Sequence, residues 1–184
     1  MQRICVFCGS SSGDDPVYAA ATHELAQALV DQGLGLVYGG AHRGLMGVLA
    51  DGVLARGGEV IGVIPASLAE REIAHGGLTQ LHVVQTMHER KASMAAHADA
   101  FLALPGGFGT LEELMEVVTW QQLGLHHKPC GLLNVNGYFD PFITFIAHMT
   151  QAGFIRPAQA AALQIARSPL EALAQLRSCL SAAP

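Results

Sequence analysis

Ala100-Phe101-Leu102-Ala103-Leu104-Pro105-Gly106-Gly107-Phe108-Gly109-Thr110-Leu111-Glu112-Glu113 is the stretch that decides the architecture. Residues 100–104 form a short apolar run and residues 111–122 carry a helical pattern, so the motif between them is a strand-to-helix turn. Its three glycines are expected to take positive φ and to bring bare N–H groups close to a ligand. The helix behind them aims unpaired N–H groups and the positive end of its dipole at the same point. Such a turn suits a phosphate or another anion. Glu112 and Glu113 follow one turn later, where a site for an anion alone gains nothing from them. Acid in the wall of a phosphate cradle points to chemistry beside the phosphate.

Outward from this turn, the same alternation continues. Strand-like runs occur at residues 3–8, 34–38, 59–64, 81–84, 100–104 and 130–134, and helical patterns at 17–31, 45–56, 87–98, 111–122, 139–151 and 169–180. Alternation of this kind predicts right-handed βαβ units and an open parallel sheet. The strands are nearly unbroken apolar runs, as a sheet covered on both faces requires. The expected fold is therefore α/β, a Rossmann-like doubly wound parallel sheet flanked by helices, in a single domain spanning 1–184. The one long mixed connection is 65–77. In such a sheet ligands sit beyond the carboxyl ends of the strands. Small-residue loops fall there three times: Gly9-Ser10-Ser11-Ser12-Gly13, Gly39-Gly40 and Gly106-Gly107. Together they make a floor for a nucleotide-sized ligand.

Composition narrows the function classes. The chain has 184 residues, 51% of them hydrophobic, and a net charge of −5, with no block of Lys or Arg to form a nucleic-acid surface. No apolar stretch approaches the roughly 20 residues of a membrane span. The N-terminal apolar run is too short for a signal peptide, so the expected location is cytoplasmic. Cys5 and Cys8 form a C-x-x-C, but on a strand positions three apart face opposite sides, which disfavours a shared metal. The glycine loops also lack familiar signatures. No G-x-G-x-x-G follows the first strand, and Gly39 to Gly44 is not followed by the Lys-Ser/Thr of an ATP-binding P-loop. G-x-S-x-G is absent, and the nine histidines show no H-E-x-x-H spacing.

Two T-x-x-E boxes, Thr86-Met87-His88-Glu89 and Thr110-Leu111-Glu112-Glu113, read as helix N-termini. The second offers a purely structural role for Glu113, bonded back to the amide of Thr110. The first is followed by Arg90 and Lys91, whose charge opposes the helix dipole unless an anion lies nearby. Adjacent strands are expected to set both helix starts on one sheet edge, with Arg90 facing Glu113 across a cleft that contains the glycine loop. Cation, carboxylate and cradle together fit bond cleavage beside a sugar phosphate.

Met87-His88-Glu89-Arg90-Lys91 followed by Pro105 to Glu113 resembles the paired signature of the Lonely Guy (LOG) family, P-G-G-x-G-T-x-x-E with an upstream R-K pair. The resemblance extends along nearly the whole chain, with Ala41 standing where many relatives have a third glycine. Members are cytokinin riboside 5′-monophosphate phosphoribohydrolases. The resemblance implies hydrolysis of the N-glycosidic bond of an adenine-type nucleoside 5′-monophosphate, including AMP, to free base and D-ribose 5-phosphate, with no metal and no cofactor. It implies catalysis by Arg90 and Glu113. It implies substrate contacts by Glu72, Arg90, Lys91, Gly106, Gly107, Phe108, Gly109, Thr110, Leu111, Glu112 and Thr119. It also implies a homodimer with sites close to the interface.

Three other activities compete. Lysine decarboxylation, a label often given to such chains, needs a pyridoxal phosphate Schiff-base lysine, and Lys91 and Lys128 are the only lysines. A molybdenum-cofactor carrier of the same fold would hold a phosphorylated pterin without needing the Arg90–Glu113 pair. A broader nucleoside 5′-monophosphate nucleosidase would use the same pair with a less selective base pocket.

Overall fold

A computed structural model describes residues 1–72 and 74–181, except the side chains of 70–72. Seven strands form one parallel sheet: β1 (Arg3–Phe7), β2 (Gly35–Tyr38), β3 (Val60–Pro65), β4 (Gln80–Val84), β5 (Ala100–Ala103), β6 (Cys130–Leu133) and β7 (Leu163–Ala166). Among the described residues eight α-helices connect or follow them: α1 (Pro16–Asp31), α2 (Gly44–Leu54), α3 (Ala66–Glu72), α4 (Met87–His97), α5 (Phe108–Gln122), α6 (Asp140–Gln151), α7 (Pro157–Ala162) and α8 (Pro169–Ser181). No helix among the described residues is long and apolar enough to cross a membrane.

The alternation of side chains along the strands sorts the core into two layers. Ile4, Val6, Leu36 and Leu102 pack with Leu25 and Leu29 of α1, Leu49 and Val53 of α2, and Leu173 and Leu176 of α8. Cys5, Phe7, Val37, Ile61 and Phe101 face the other way, against Met94 of α4, Leu114 and Val117 of α5, and the partly buried Phe142 and Ile146 of α6. Odd and even positions of one strand thus feed different cores, as a doubly wound sheet requires. Cys5 and Cys8 fall in opposite layers, as expected from their spacing, and both are free, buried thiols.

Strand order is β4-β3-β2-β1-β5-β6-β7. The chain winds outward from β1 to β4, returns to the far side of β1 as β5, and winds outward again. This reversal sets the carboxyl ends of β1 and β5 side by side, and a crevice opens at such a switch point. The two loops that leave these strands are joined there, the Gly9 N–H donating to the Pro105 carbonyl over 3.1 Å. β4 and β5 are therefore not neighbours, contrary to the expectation of adjacent strands; β3, β2 and β1 lie between them. Arg90 and Glu113 meet for a different reason. α4 is the return crossover, lying against β1 to β4, and it carries its residues back under the middle of the sheet.

Two further differences are local. The connection 65–77 contains α3, a seven-residue helix too short to show a period. Beyond α6 the chain adds α7 and the edge strand β7, which periodicity does not reveal. α7 is a six-residue Pro-Ala-Gln-Ala-Ala-Ala segment, and β7 is a four-residue strand with a mixed burial pattern.

Candidate active site

α5 starts at Phe108 with Gly107 as its N-cap, earlier than the helical pattern indicates. Thr110 therefore lies inside the first turn, where it is 4% exposed, and is not an N-cap. The purely structural role open to Glu113, a capping box on Thr110, is thereby excluded. The glycines also act differently from expectation. Gly106, Gly107 and Gly109 are not among the residues at positive φ. Gly106 is required for space, since a Cβ there would run into Thr110 Oγ1 and the Gly9 amide. A Cβ at Gly107 or Gly109 would meet no protein atom within 4 Å, so the room beside the helix start is open to a ligand.

The other T-x-x-E start is a true N-cap, although its glutamate bonds one residue outside the reciprocal box. Thr86 caps α4 by accepting from the Glu89 N–H at 3.1 Å, while Glu89 reaches back to the Gln85 N–H at 2.8 Å. One residue further on, the Arg90 side chain is 8% exposed and fully engaged. Its Nε donates to the Val63 carbonyl at 3.0 Å and its Nη2 to the Gly39 carbonyl at 2.9 Å, at the carboxyl ends of β3 and β2. Its Nη1 remains for Glu113, whose Oε1 lies 3.6 Å away. Glu113 is itself only 12% exposed. Gly39 cannot carry a side chain, because a Cβ would displace the guanidinium. Two sheet carbonyls, a guanidinium and a carboxylate thus form one chain of contacts ending in the cleft.

That cleft has a volume of about 240 Å³. Cys8, Gly9 and Ser10 from the β1 end, Met46 of α2, and Met87 and Arg90 of α4 form one wall. Gly107, Phe108, Gly109, Thr110, Glu112 and Glu113 form the other. Burial, and then the Glu113 carboxylate, push the Cys8 thiol well up, so the floor presents a neutral thiol and not a nucleophile. A second cavity of about 290 Å³ adjoins the cleft through Gly9, Ser10 and Gly107, and is lined by Ser11, Ser12, Tyr18 and Tyr138. Sequence reasoning had Ser10 in a loop of the ligand floor and Met87 at the head of the R-K signature without singling out either side chain, and it missed Met46 and Tyr138. Nothing in the sequence marked that methionine or the tyrosine as a neighbour of the motif.

The remaining expected contacts are distributed unevenly. Phe108 is 93% exposed at the mouth. Leu111 turns partly into the second core layer, and its N–H donates to the Gly107 carbonyl at 3.2 Å. Lys91 is not in the cleft wall; its Nζ lies 2.5 Å from Glu112 and 3.0 Å from Glu116, tying α4 to α5. Burial pulls on the Lys91 ammonium, but the two carboxylates outweigh it and hold its pKa above the ordinary lysine value. Thr119 is exposed, nine residues along α5 from Thr110, and its Oγ1 bonds the Met115 carbonyl of its own helix at 2.7 Å. At 1.5 Å per residue it stands about 13 Å along the helix axis from Thr110, and further still from the glycine turn. Glu72 ends α3, and its side chain lies outside the described residues.

Fold and cleft together define a class: a doubly wound α/β protein with a glycine-walled cleft at a helix start and a buried Arg–Glu pair at one switch point. Residues 46–176 match the family model described as "possible lysine decarboxylase". A cytokinin riboside 5′-monophosphate phosphoribohydrolase of Arabidopsis thaliana is 53% identical over 158 residues, covering 86% of this chain and 69% of the relative. A protein of Oryza sativa subsp. japonica named as a probable enzyme of the same kind is 49% identical over 175 residues, covering 95% of this chain and 72% of the relative. The chain belongs to the LOG family. Among solved structures, the molybdenum cofactor carrier protein of Chlamydomonas reinhardtii superposes with a TM-score of 0.73 at 19% identity, over 98% of both chains. This likeness is one of fold. The family model's description does not suit the two lysines, since Lys91 is held by Glu112 and Glu116 and the Lys128 Nζ donates to the Ala95 carbonyl at 2.7 Å.

Proposed function

We propose that this protein hydrolyses the N-glycosidic bond of cytokinin riboside 5′-monophosphates and of AMP, releasing the free adenine-type base and D-ribose 5-phosphate. The observation that carries this reading is the buried Arg90, fixed on two sheet carbonyls and extended to Glu113 in the wall of the anion cradle. The relatives' names supply the substrate class. Breaking a glycosidic bond builds positive charge on the ribose, as in glycoside hydrolysis. Glu113 as the carboxylate faces that charge, or takes a proton from the attacking water. Arg90 sets the orientation of Glu113 and offers Nη1 to a substrate oxygen. The N–H groups around Gly107 and the first turn of α5 take the 5′-phosphate, so that binding away from the reacting bond positions the sugar.

The same reading makes the protein a homodimer, a single 1–184 domain per copy, acting in the cytoplasm with its thiols reduced. α6 has no buried residue, and Phe145 lies on it at 56% exposed. Phe154 just beyond α6 is 85% exposed, and Leu123 and Leu125 just beyond α5, which packs on the same core layer as α6, are 68% and 69% exposed. A second copy covering this side would also give Thr119 a substrate to touch, because within one chain it is too far from the turn.

The test is product analysis with AMP and with isopentenyladenosine monophosphate. Wild type releases base and ribose 5-phosphate. Glu113→Gln keeps the fold but loses at least about 100-fold in kcat, the scale of a general base or charge stabiliser. A variant with near wild-type kcat would remove Glu113 from the mechanism. A higher kcat/KM for the prenylated substrate would favour the cytokinin substrate over plain AMP.

A further inference from the structure

Tyr138 has no part in the mechanism above, yet it touches the glycine turn. Its hydroxyl donates to the Gly106 carbonyl at 2.5 Å across 32 residues of sequence. The chain reaches this position through an uncommon turn at Val135–Gly137, in which Asn136 has φ +49° and Gly137 φ +73°. Asn134 clamps the turn: its Nδ2 donates to Asp140 Oδ1 at 2.7 Å, and its Oδ1 accepts from the Phe139 N–H at 2.8 Å. The Tyr138 ring is set edge-on against Tyr18, with centroids 5.6 Å apart, and against Phe139 at 4.9 Å. At 40% exposed it is not a core residue held by burial alone.

Gly106 and Gly107 share one peptide, and there are no cis bonds among the described residues. In a planar trans peptide the carbonyl of the first residue and the N–H of the second point to opposite sides. A peptide between two glycines also meets little steric resistance to turning over. Gly106 and Tyr138 line the adjoining cavity, whereas Gly107 lines both that cavity and the cleft. We propose that Tyr138 is a positioning residue of the anion cradle: by holding the Gly106 carbonyl on its own side, it turns the Gly107 N–H toward the cleft walled by Arg90 and Glu113. The inference rests on the reading of that cleft as a 5′-phosphate site. Tyr138 acts through the peptide and not on the reacting bond, so its influence falls on binding of the phosphate end.

The experiment compares wild type, Tyr138→Phe and Tyr138→Ala. It measures ribose 5-phosphate affinity by calorimetry, KM and kcat for AMP, and the Gly107 amide shift on titration with ribose 5-phosphate. Tyr138→Phe, which keeps the ring, is expected to weaken ribose 5-phosphate and raise KM about five- to tenfold, the worth of one hydrogen bond, with a smaller fall in kcat. The Gly107 amide, strongly shifted by the ligand in wild type, is expected to respond less in the variant. Tyr138→Ala should add a loss of thermal stability that Tyr138→Phe lacks. Wild-type affinity in Tyr138→Phe, an unchanged Gly107 response, or a wild type that does not bind ribose 5-phosphate would overturn the proposal. A wild type that binds ribose 5-phosphate but cleaves neither nucleotide would refute the hydrolase reading and leave the positioning role to be decided by the calorimetry.

Discussion

Arg90 is the residue on which the site most depends, because its guanidinium joins three elements at once. Nε and Nη2 satisfy carbonyls at the ends of β3 and β2, and Nη1 faces Glu113. Lysine has one nitrogen and no planar fork, so it cannot serve these three directions together. Arg90→Lys is expected to lose about 2–3 kcal/mol of stability, from carbonyls and a carboxylate left poorly paired, and about 100-fold in kcat/KM. Urea unfolding and steady-state kinetics on the one variant check both. At this scale the sequence was informative where side chains speak for themselves. The R-K pair and the motif from Pro105 to Glu113 marked the two halves of the cleft. The carbonyls of Gly39 and Val63 were invisible, because every residue has a carbonyl and only the folded sheet says which two are aimed at Arg90. Lys91 read as a substrate contact by resemblance, whereas its partners Glu112 and Glu116 are one turn of helix apart on α5.

Among the elements, α4 carries a pH dependence as well as the arginine. Its last residue, His97, stacks on His82 of edge strand β4 with ring centroids 4.8 Å apart, and His82 Nε2 is buried without a hydrogen-bond partner. Burial first, then His82 and Arg3, lower the His97 pKa. The unfolded chain therefore binds a proton near pH 6.5 that the folded chain refuses until lower pH. The stability linked to this group is present above about pH 6.5 and is lost as pH falls from there through the folded value. Unfolding free energies at pH 7.5, 6.5 and 5.5 should decline toward acid in wild type, and His97→Gln should flatten that decline. The lowered carboxyls of Asp99 and Glu59 act in the same direction, but only at more acid pH. Elements were mostly legible in the sequence, since long apolar periods mark β1, β5, α1 and α5. The start of α5 was not, because glycine leaves open where a helix begins and Thr110 imitates a cap. β7 escaped because four residues with mixed burial carry no usable period.

For the whole molecule, strand order was the least legible property. Alternating strands and helices define a parallel sheet, but the reversal between β4 and β5 depends on which side of β1 the returning chain settles, and no local pattern records that choice. The proposed dimer is testable by complementation. If Thr119 serves the site of the other copy, a mixed dimer of Glu113→Gln and Thr119→Arg chains contains one site with both defects and one with neither. Each parent is expected to be nearly inactive, and random re-pairing should restore about one quarter of wild-type activity, as two-fold symmetry dictates. Recovery near zero, with mass analysis showing mixed dimers, would mean that Thr119 does not serve the site of the other copy.

The way Arg90 is seated also has a consequence in time. Its anchors come from residues 39 and 63, its target from residue 113, and its own helix reaches them only by crossing four strands. Contacts so distant along the chain form slowly, after local helices and after the pairing of β2 with β3 has created the carbonyl row that receives the guanidinium. During refolding from urea, the far-ultraviolet helix signal is therefore expected to return before catalytic turnover, with an interval between the two. Simultaneous recovery in stopped-flow traces would mean that the seat of Arg90 is assembled with the first helices. An interval would make the active centre the last part of the molecule to come into being.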